Sequence, residues 1–168
     1  MAAQDSFRDY VAARLTGLSR AAYLLTGDRH LAEDLVQQAL IQVASRWEKI
    51  SAAGDPDPYV RRVLYHQHVS WWRRRRLVDQ PHAAPPERAV ADQAVSDKDT
   101  ELTVRQALRR LTPRQRAVLV LRYFEDLTEA QTAEVLGCSV GTVKSNTRDA
   151  LARLRATAPE LDDLRGAR

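Results

Sequence analysis

Apolar residues recur along most of the chain at the three- and four-residue spacing of helices, and alternating β-branched runs bounded by turns are missing. This pattern predicts an all-helical protein. The spacing fades over residues 77–98, where three of the seven prolines fall. We expect an extended linker there, because such a composition favours neither a helix nor a packed core. The linker divides the chain into two small helical domains.

Three or four helices are expected before the linker. Asp5 is a candidate cap for a first helix that runs towards Leu25, and Gly27 and Asp28 supply the turn after it. The second helix is strongly amphipathic and carries many amides on its polar side. Its apolar stripe is predicted to comprise Leu31, Leu35, Val36, Ala39, Leu40, Val43, Ala44 and Trp47.

A further helix is predicted from Pro58 to about Arg76, with Asp57 as its candidate cap. Its core side would carry Val60, Val63, Leu64 and Trp71. Its other side would carry Arg62, Tyr65, Val69, Trp72, Arg73 and Arg76. Aromatic rings interleaved with guanidinium groups suit unstacked bases and backbone phosphates. Half-buried packing is the alternative for Tyr65 and Trp72.

After the linker, two threonines are each followed three positions later by glutamine, which is the spacing of a capping box. The pairs are Thr112 with Gln115 and Thr128 with Gln131. They predict two helix starts. Gly137 then supplies a turn, and Ser139 can cap a last helix that begins near Val140.

The two helices on either side of Gly137 predict a helix-turn-helix. The stripe predicted to face inward on the second of them is Val140, Val143, Ala150, Leu151 and Leu154. The polar side can contact phosphates or read base edges in a major groove. It comprises Gly141, Thr142, Ser145, Asn146, Arg148 and Asp149, with Lys144 on the flank. An ordinary helical hairpin with a polar face is the alternative.

Charge is distributed unevenly along the chain. Of the 26 basic and 22 acidic residues, 12 and 8 fall in residues 1–76, 2 and 5 in residues 77–99, 10 and 6 in residues 100–157, and the remaining 2 and 3 in residues 158–168. Two basic blocks that flank an acidic connector favour a polyanion-binding protein, since clustered Arg releases counterions from phosphates. Solvated helix faces are the alternative.

Several features predict a cytoplasmic protein that does not enter a membrane. No stretch reaches the roughly 18 apolar residues that span a bilayer, and Asp5 and Asp9 stand where a signal peptide would be basic and apolar. The single cysteine, Cys138, cannot form an internal disulfide. No cofactor is expected.

Four motifs occur in order: LAEDLVQQAL at residues 31–40, WWRRRR at 71–76, LTPRQRAVL at 111–119 and SVGTVKS at 139–145. Together they resemble the extracytoplasmic-function sigma factors of the sigma-70 family, most of all the actinobacterial sigma-E-type branch. The resemblance implies a sigma-2 domain over residues 1–76, the linker over 77–98, a sigma-4 domain over 99–157 and a tail over 158–168.

The resemblance also implies roles for these parts. It makes core RNA polymerase and promoter DNA the partners and leaves an anti-sigma factor open as a further one. The residues that it points to for core binding are Asp34, Gln37 and Gln38. Those for the −10 element are Arg62, Tyr65, His66, Val69, Trp72, Arg73 and Arg76. Those for the −35 element are Thr142, Lys144, Ser145, Asn146 and Arg148.

Three positions depart from the family pattern. Many relatives have Asn where His66 stands and Asp where Ser70 stands, and Gln38 replaces a frequent acidic residue. The role can therefore be carried over, whereas the promoter sequence cannot.

Two other classes of protein compete with this interpretation. An enzyme such as a recombinase needs a positioned nucleophile or a cluster of metal-binding carboxylates. His66 and His68 lie two positions apart and point in different directions on a helix, and Cys138 has no ligand partners nearby, so no catalytic or metal site is expected. A dimeric helix-turn-helix activator would share the C-terminal half, but it leaves the Trp- and Arg-rich helix without a role.

Overall fold

The computed structural model describes residues 2–78 and 104–159, and these residues form helices and turns without a strand. The predicted all-helical class is confirmed. The predicted linker lies outside the described residues apart from positions 77 and 78, which continue a helix. Residues 160–168 of the tail lie outside them too.

Four helices form the N-terminal half: α1 (Ala2–Thr26), α2 (Arg29–Ala44), α3 (Trp47–Ala52) and α4 (Asp57–Val78). Because α1 already begins at Ala2, Asp5 lies in its first turn, and the prediction that Asp5 caps this helix is wrong. Gly27 forms the predicted turn with a φ of 69°. Asp28 then caps α2, since its carboxylate accepts the Leu31 N–H at 3.0 Å.

The second helix is shorter than its apolar spacing predicts. It ends at Ala44, which is exposed, whereas Trp47 is buried and begins α3. The Trp47 ring packs 5.1 Å from Phe7 and 5.0 Å from Tyr10, and its indole N–H donates to Ser6 Oγ at 2.8 Å. Trp47 therefore keeps the apolar stripe continuous across the break between α2 and α3.

Asp57 joins the start of α4 to α1 and does not cap α4. Its own N–H donates to the Asp55 carboxylate at 3.0 Å, so Asp55, two positions earlier, accepts an N–H of the first turn. The Asp57 carboxylate instead accepts the Tyr10 hydroxyl at 2.9 Å and pairs with Arg14 at 2.6 Å. Burial, and then this hydrogen bond, raise the pKa of Tyr10.

The C-terminal half contains a helical segment over residues 104–109, then α5 (Pro113–Leu119), a π-helical turn (Val120–Phe124), α6 (Glu129–Leu136) and α7 (Val140–Thr157). Both predicted capping boxes are confirmed, at Thr112 with Gln115 and at Thr128 with Gln131. Gly137 ends α6 in the left-handed region with a φ of 62°.

A buried arginine organises the beginning of this half. Arg116 is 4% exposed, and its guanidinium donates to the carbonyls of Leu108, Arg109, Leu111 and Leu25. Burial, and then the charge of Arg109, lower its pKa to about 10. Since Leu25 lies near the end of α1, one guanidinium connects the two halves of the molecule.

Candidate nucleic-acid and polymerase interfaces

The predicted strand-reading side of α4 is only partly open. Arg62, His66 and Arg73 are exposed, and Val69 and Trp72 are half-buried. Arg76 belongs to α4, but its side chain lies outside the part of the chain that is described. This side of the helix therefore presents cations to solvent while its apolar members are partly covered.

Contrary to the prediction, Tyr65 does not face outward. Its side chain is 0% exposed, because α5 and α6 of the C-terminal half pack against α4. Burial, and then the charge of Glu125, raise its pKa well above the ordinary value. The alternative of packing is the correct one for Tyr65 in this conformation.

His68 is a second buried residue of α4 that the sequence pattern did not single out for packing. Its ring is fully buried, and burial, followed by the nearby Arg116 charge, lowers its pKa to about 3. His68 is therefore neutral at physiological pH. The available signal was its place four positions after Leu64 and three before Trp71, at the edge of the predicted core side.

The C-terminal part of α4 holds a cluster of aromatic and guanidinium groups. The Trp71 and Trp72 rings lie 6.0 Å apart, and the Arg75 guanidinium stands 4.9 Å from the first and 5.9 Å from the second. Arg73, Arg74 and Arg75 are exposed. Such a cluster can stack on a base and contact phosphates together.

The outer side of α2 carries the three residues predicted to bind polymerase. Asp34, Gln37 and Gln38 are all exposed. Ile41 belongs to the same helical stripe and is 63% exposed, which makes it an apolar residue of this face that the sequence interpretation missed. Its place three positions after Gln38 was the available signal. An exposed apolar group among amides suits a protein partner better than bulk water.

The α2 face and α4 meet in an open groove of about 960 Å³. Asp34 and Gln38 line it from α2, and Arg62, His66 and Arg73 line it from α4. The structure therefore brings part of the predicted core-binding set next to part of the predicted −10 set.

The helix-turn-helix has the predicted geometry. Ser139 caps α7 by accepting the Thr142 N–H at 3.1 Å. Val143 and Ala150, on the inward side of α7, are fully buried. Val140 differs from the prediction, because it is 38% exposed at the first turn instead of facing inward. Leu151 and Leu154 are half-buried against the core.

The predicted reading residues of α7 fall into two groups. Lys144 and Arg148 are exposed, with Lys144 3.7 Å from Glu129 and Arg148 3.1 Å from Asp149. Thr142, Ser145 and Asn146 are half-buried, and Ser145 Oγ and Asn146 Nδ2 both donate to the Thr142 carbonyl. Exposed ion pairs of this kind are weak enough to exchange for phosphate contacts.

Within the described ranges, no helix is both long and apolar enough to cross a bilayer. The same residues contain no group of three His, Cys, Asp or Glu side chains that could hold a metal ion.

Two families match the chain on either side of the undescribed segment. Sigma-70 region 2 matches residues 10–78, and Sigma-70 region 4 matches residues 101–154. The chain is an ECF RNA polymerase sigma factor of the sigma-70 family. It binds core RNA polymerase and directs promoter recognition, and it is not an enzyme.

Curated relatives of this sigma factor are similar over most of their length. The RNA polymerase sigma-E factor of Streptomyces avermitilis is 40% identical over 149 residues, which are 89% of this chain and 83% of the relative. The sigma-E factor of Streptomyces coelicolor is 41% identical over 149 residues, covering 89% and 84%. The ECF sigma factor SigL of Mycobacterium tuberculosis is 32% identical, covering 86% and 84%.

Solved structures have the same fold. The sigma factor RpoE of Bartonella quintana, crystallised with the anti-sigma factor NepR, matches with a TM-score of 0.66 and 22% identity over 90% of this sigma factor and 95% of that chain. CnrH in complex with the cytosolic domain of CnrY matches with a TM-score of 0.63 and 23% identity, covering 94% and 90%.

Proposed function

We propose that three surfaces divide the work of this sigma factor. The outer face of α2 docks on core polymerase through Asp34, Gln37 and Gln38, with Ile41 at its centre. The exposed side of α4 melts and reads the −10 element. The face of α7 around Lys144 and Arg148 reads the −35 element in the major groove. We also propose a cytoplasmic location, since promoter DNA and polymerase are there in bacteria.

The observation that carries the α4 assignment is the aromatic and guanidinium cluster of Trp71, Trp72 and Arg75 beside the exposed Arg73. A helix that only packs inside its domain needs no cations over its rings. A single strand offers unpaired base faces and phosphates, and this cluster matches both. The anti-sigma partner that the sequence resemblance left open stays a prediction.

Trp72→Ala is expected to reduce promoter opening about tenfold or more while core binding is kept, since stacking on a base contributes roughly 1–3 kcal/mol. The paired change Arg73→Ala/Arg76→Ala should act in the same direction by removing phosphate contacts. The measurement is run-off transcription with core polymerase on a promoter recovered from a pool of DNA fragments.

Arg8→Ala is the matched control for the arginine changes, because Arg8 is an exposed arginine of α1, a helix that carries none of the proposed DNA-binding residues. Circular dichroism establishes that each variant is folded. Folded Trp72 and arginine variants that open promoters at the wild-type level would remove α4 from strand reading. A wild-type chain that gives no promoter-specific transcript with core would overturn the whole assignment.

Lys144→Ala is expected to weaken promoter binding by the holoenzyme across all sequences and to lower the salt slope of the binding constant by about one, as for the loss of one phosphate contact. A change at Asn146 should instead relax specificity at one base position. Arg153→Ala is the charge-matched control, since Arg153 is exposed further along α7. Equal slopes for the Lys144 variant and wild type would exclude a phosphate contact by Lys144.

A further inference from the structure

The first turn of α7 presents an apolar side chain at a position where the sequence pattern predicted a buried one. Val140 is 38% exposed, whereas Val143 and Ala150 on the inward side of the same helix are fully buried. Within the described part of the chain, Val140 does not belong to the hydrophobic core against which Leu151 and Leu154 pack. Valine is also a poorer helix former than alanine. The packing of this domain therefore does not account for a valine at this position.

Val140 lies on the same side of α7 as two exposed cations. Val140, Lys144 and Arg148 follow each other at four-residue intervals, and all three side chains are exposed. In a helix-turn-helix, the residues that contact base edges lie near the beginning of the second helix. The apolar member of this stripe therefore stands at the end that would meet the bases, and the cations stand further along the helix.

The polar side chains around this turn are already bonded within α7. Ser139 Oγ accepts the Thr142 N–H at 3.1 Å and lies 2.9 Å from the Thr142 hydroxyl oxygen. Ser145 Oγ and Asn146 Nδ2 donate to the Thr142 carbonyl at 3.0 and 2.8 Å. Val140 offers only methyl groups beside them, so the part of a base edge that suits it is itself apolar.

Next to Val140, Gly141 leaves the helix surface without a side chain. Gly141 is exposed within α7, and it is not one of the glycines with a positive φ. A Cβ built there would lie 3.7 Å from Ser139 Oγ, which is an ordinary van der Waals distance. Alanine would therefore fit, and it is the better helix former. A glycine at such a position favours the close approach of another molecule to the backbone.

Thymine presents the apolar group that matches this surface. The major-groove edge of an A·T pair carries the C5-methyl group of thymine, which apolar side chains contact. We propose that Val140 is a specificity-determining residue for the −35 element: its methyl groups contact the C5-methyl group of one thymine in the major groove, and Gly141 lets that base edge come close. The inference rests on the proposed function of α7 and deepens it, since it assigns an A·T pair to the −35 element.

Removal of the methyl group from the DNA tests this inference. In a promoter that the wild-type holoenzyme selects, each thymine of the −35 element is replaced in turn by deoxyuridine, on both strands. One replacement is expected to lower the affinity of the wild-type holoenzyme about fourfold, the factor for burying one methyl group, and the others should have smaller effects. Competition between differently labelled thymine and deoxyuridine fragments for the holoenzyme gives the affinity ratio.

Val140→Ala is the protein variant that pairs with this DNA change. It should bind the thymine promoter more weakly than wild type, and the sensitive deoxyuridine replacement should then have little further effect, because the partner methyl groups are already absent. Leu15→Ala is the matched control, since Leu15 is an apolar residue of α1 that is 43% exposed. It is expected to keep the wild-type response to deoxyuridine.

Two results would overturn the role of Val140. A deoxyuridine response as large in Val140→Ala as in wild type would mean that another side chain reads the methyl group. A selected −35 element without an A·T pair would leave Val140 no thymine to contact. Circular dichroism establishes that the variants are folded, which is expected because alanine is the better helix former at an exposed helical position.

Gly141→Ala separates contact with DNA from stability of the fold. Alanine is expected to raise the midpoint of urea unfolding, because it is the better helix former, and to lower the affinity of the holoenzyme for the −35 element, because its Cβ holds the base edge away. A glycine that serves the fold alone would instead give a lower midpoint. An unchanged promoter affinity in the folded variant would contradict the close approach.

Failure of this inference and failure of the proposed function give different results. If the wild-type holoenzyme selects a −35 sequence but no deoxyuridine replacement changes its affinity, the contact by Val140 is wrong while α7 remains the reader. If the wild-type holoenzyme initiates transcription without selecting any −35 sequence, the role proposed for α7 is itself wrong.

Discussion

Replacement of Arg116 by methionine is expected to lower the free energy of unfolding by about 3–5 kcal/mol, because several buried carbonyls lose their donor and each buried unsatisfied group costs roughly 1–3 kcal/mol. The guanidinium donates hydrogen bonds to the carbonyls of Leu108, Arg109, Leu111 and Leu25. Methionine fills a similar volume but leaves those acceptors without a donor. Urea denaturation followed by circular dichroism at 222 nm, the usual helical band, measures the change.

Arg114→Met is the matched control, because Arg114 is exposed on the same helix two positions earlier. It should change the stability by less than about 0.5 kcal/mol, as surface substitutions generally do. Arg116→Lys should lie between the two, since one ammonium cannot reproduce a planar fork that reaches several carbonyls. Equal denaturation midpoints for the Arg114 and Arg116 variants would show that the buried network contributes nothing to stability.

Local signals in the sequence predicted local structure well. The capping boxes at Thr112 and Thr128 and the Gly137 turn depend on residues within three or four positions of each other, and all three are present as predicted. The helix-turn-helix followed from them. The expected cap at Asp5 failed because nothing in the sequence distinguishes a cap from a first-turn carboxylate, which the helix dipole also favours.

Features that depend on distant parts of the chain were not predictable in this way. Arg116 stands in an ordinary helical pattern, and its burial follows from carbonyls that include Leu25, 91 residues away. Tyr65 lies on a side of α4 that spacing alone marks as outward, and it is buried because α5 and α6 of the C-terminal half pack against α4. The spacing rule finds the face of a helix that is buried by its own domain, but not a second face buried by another one.

The residues of the candidate site show the same difference between what local spacing predicts and what it does not. Asp34, Gln37 and Gln38 are exposed as predicted, because a strongly amphipathic helix packed on one side leaves the opposite side open. Ile41 was missed because one apolar residue outside the main stripe is common on helix surfaces. Its spacing from Gln38 placed it on the same face, and its 63% exposure shows that this face leaves it open to a partner.

The double change Asp34→Arg/Gln37→Ala is expected to weaken core polymerase binding by about 2–5 kcal/mol without unfolding the sigma-2 domain. A docked polar face leaves unmatched groups desolvated when a charge is reversed and an amide is removed, and that cost falls on the complex alone. The buried stripe of α2, which includes Leu35, Val36 and Ala39, is untouched. Competition against wild-type protein for core polymerase, followed by native gel or fluorescence anisotropy, gives the affinity ratio.

Glu48→Arg is the control for this last prediction, since Glu48 is exposed on α3 and its reversal changes the net charge by the same amount. It is expected to bind core polymerase as wild type does, which would show that the position of the charge matters and not its sum. Ile41→Asp should reproduce the loss by a different route, because it removes apolar area at the centre of the face. A folded Asp34→Arg/Gln37→Ala variant that competes as well as wild type would remove the α2 face from polymerase docking. A protein that footprints a promoter unaided would instead favour a DNA-binding activator over a factor that depends on core polymerase.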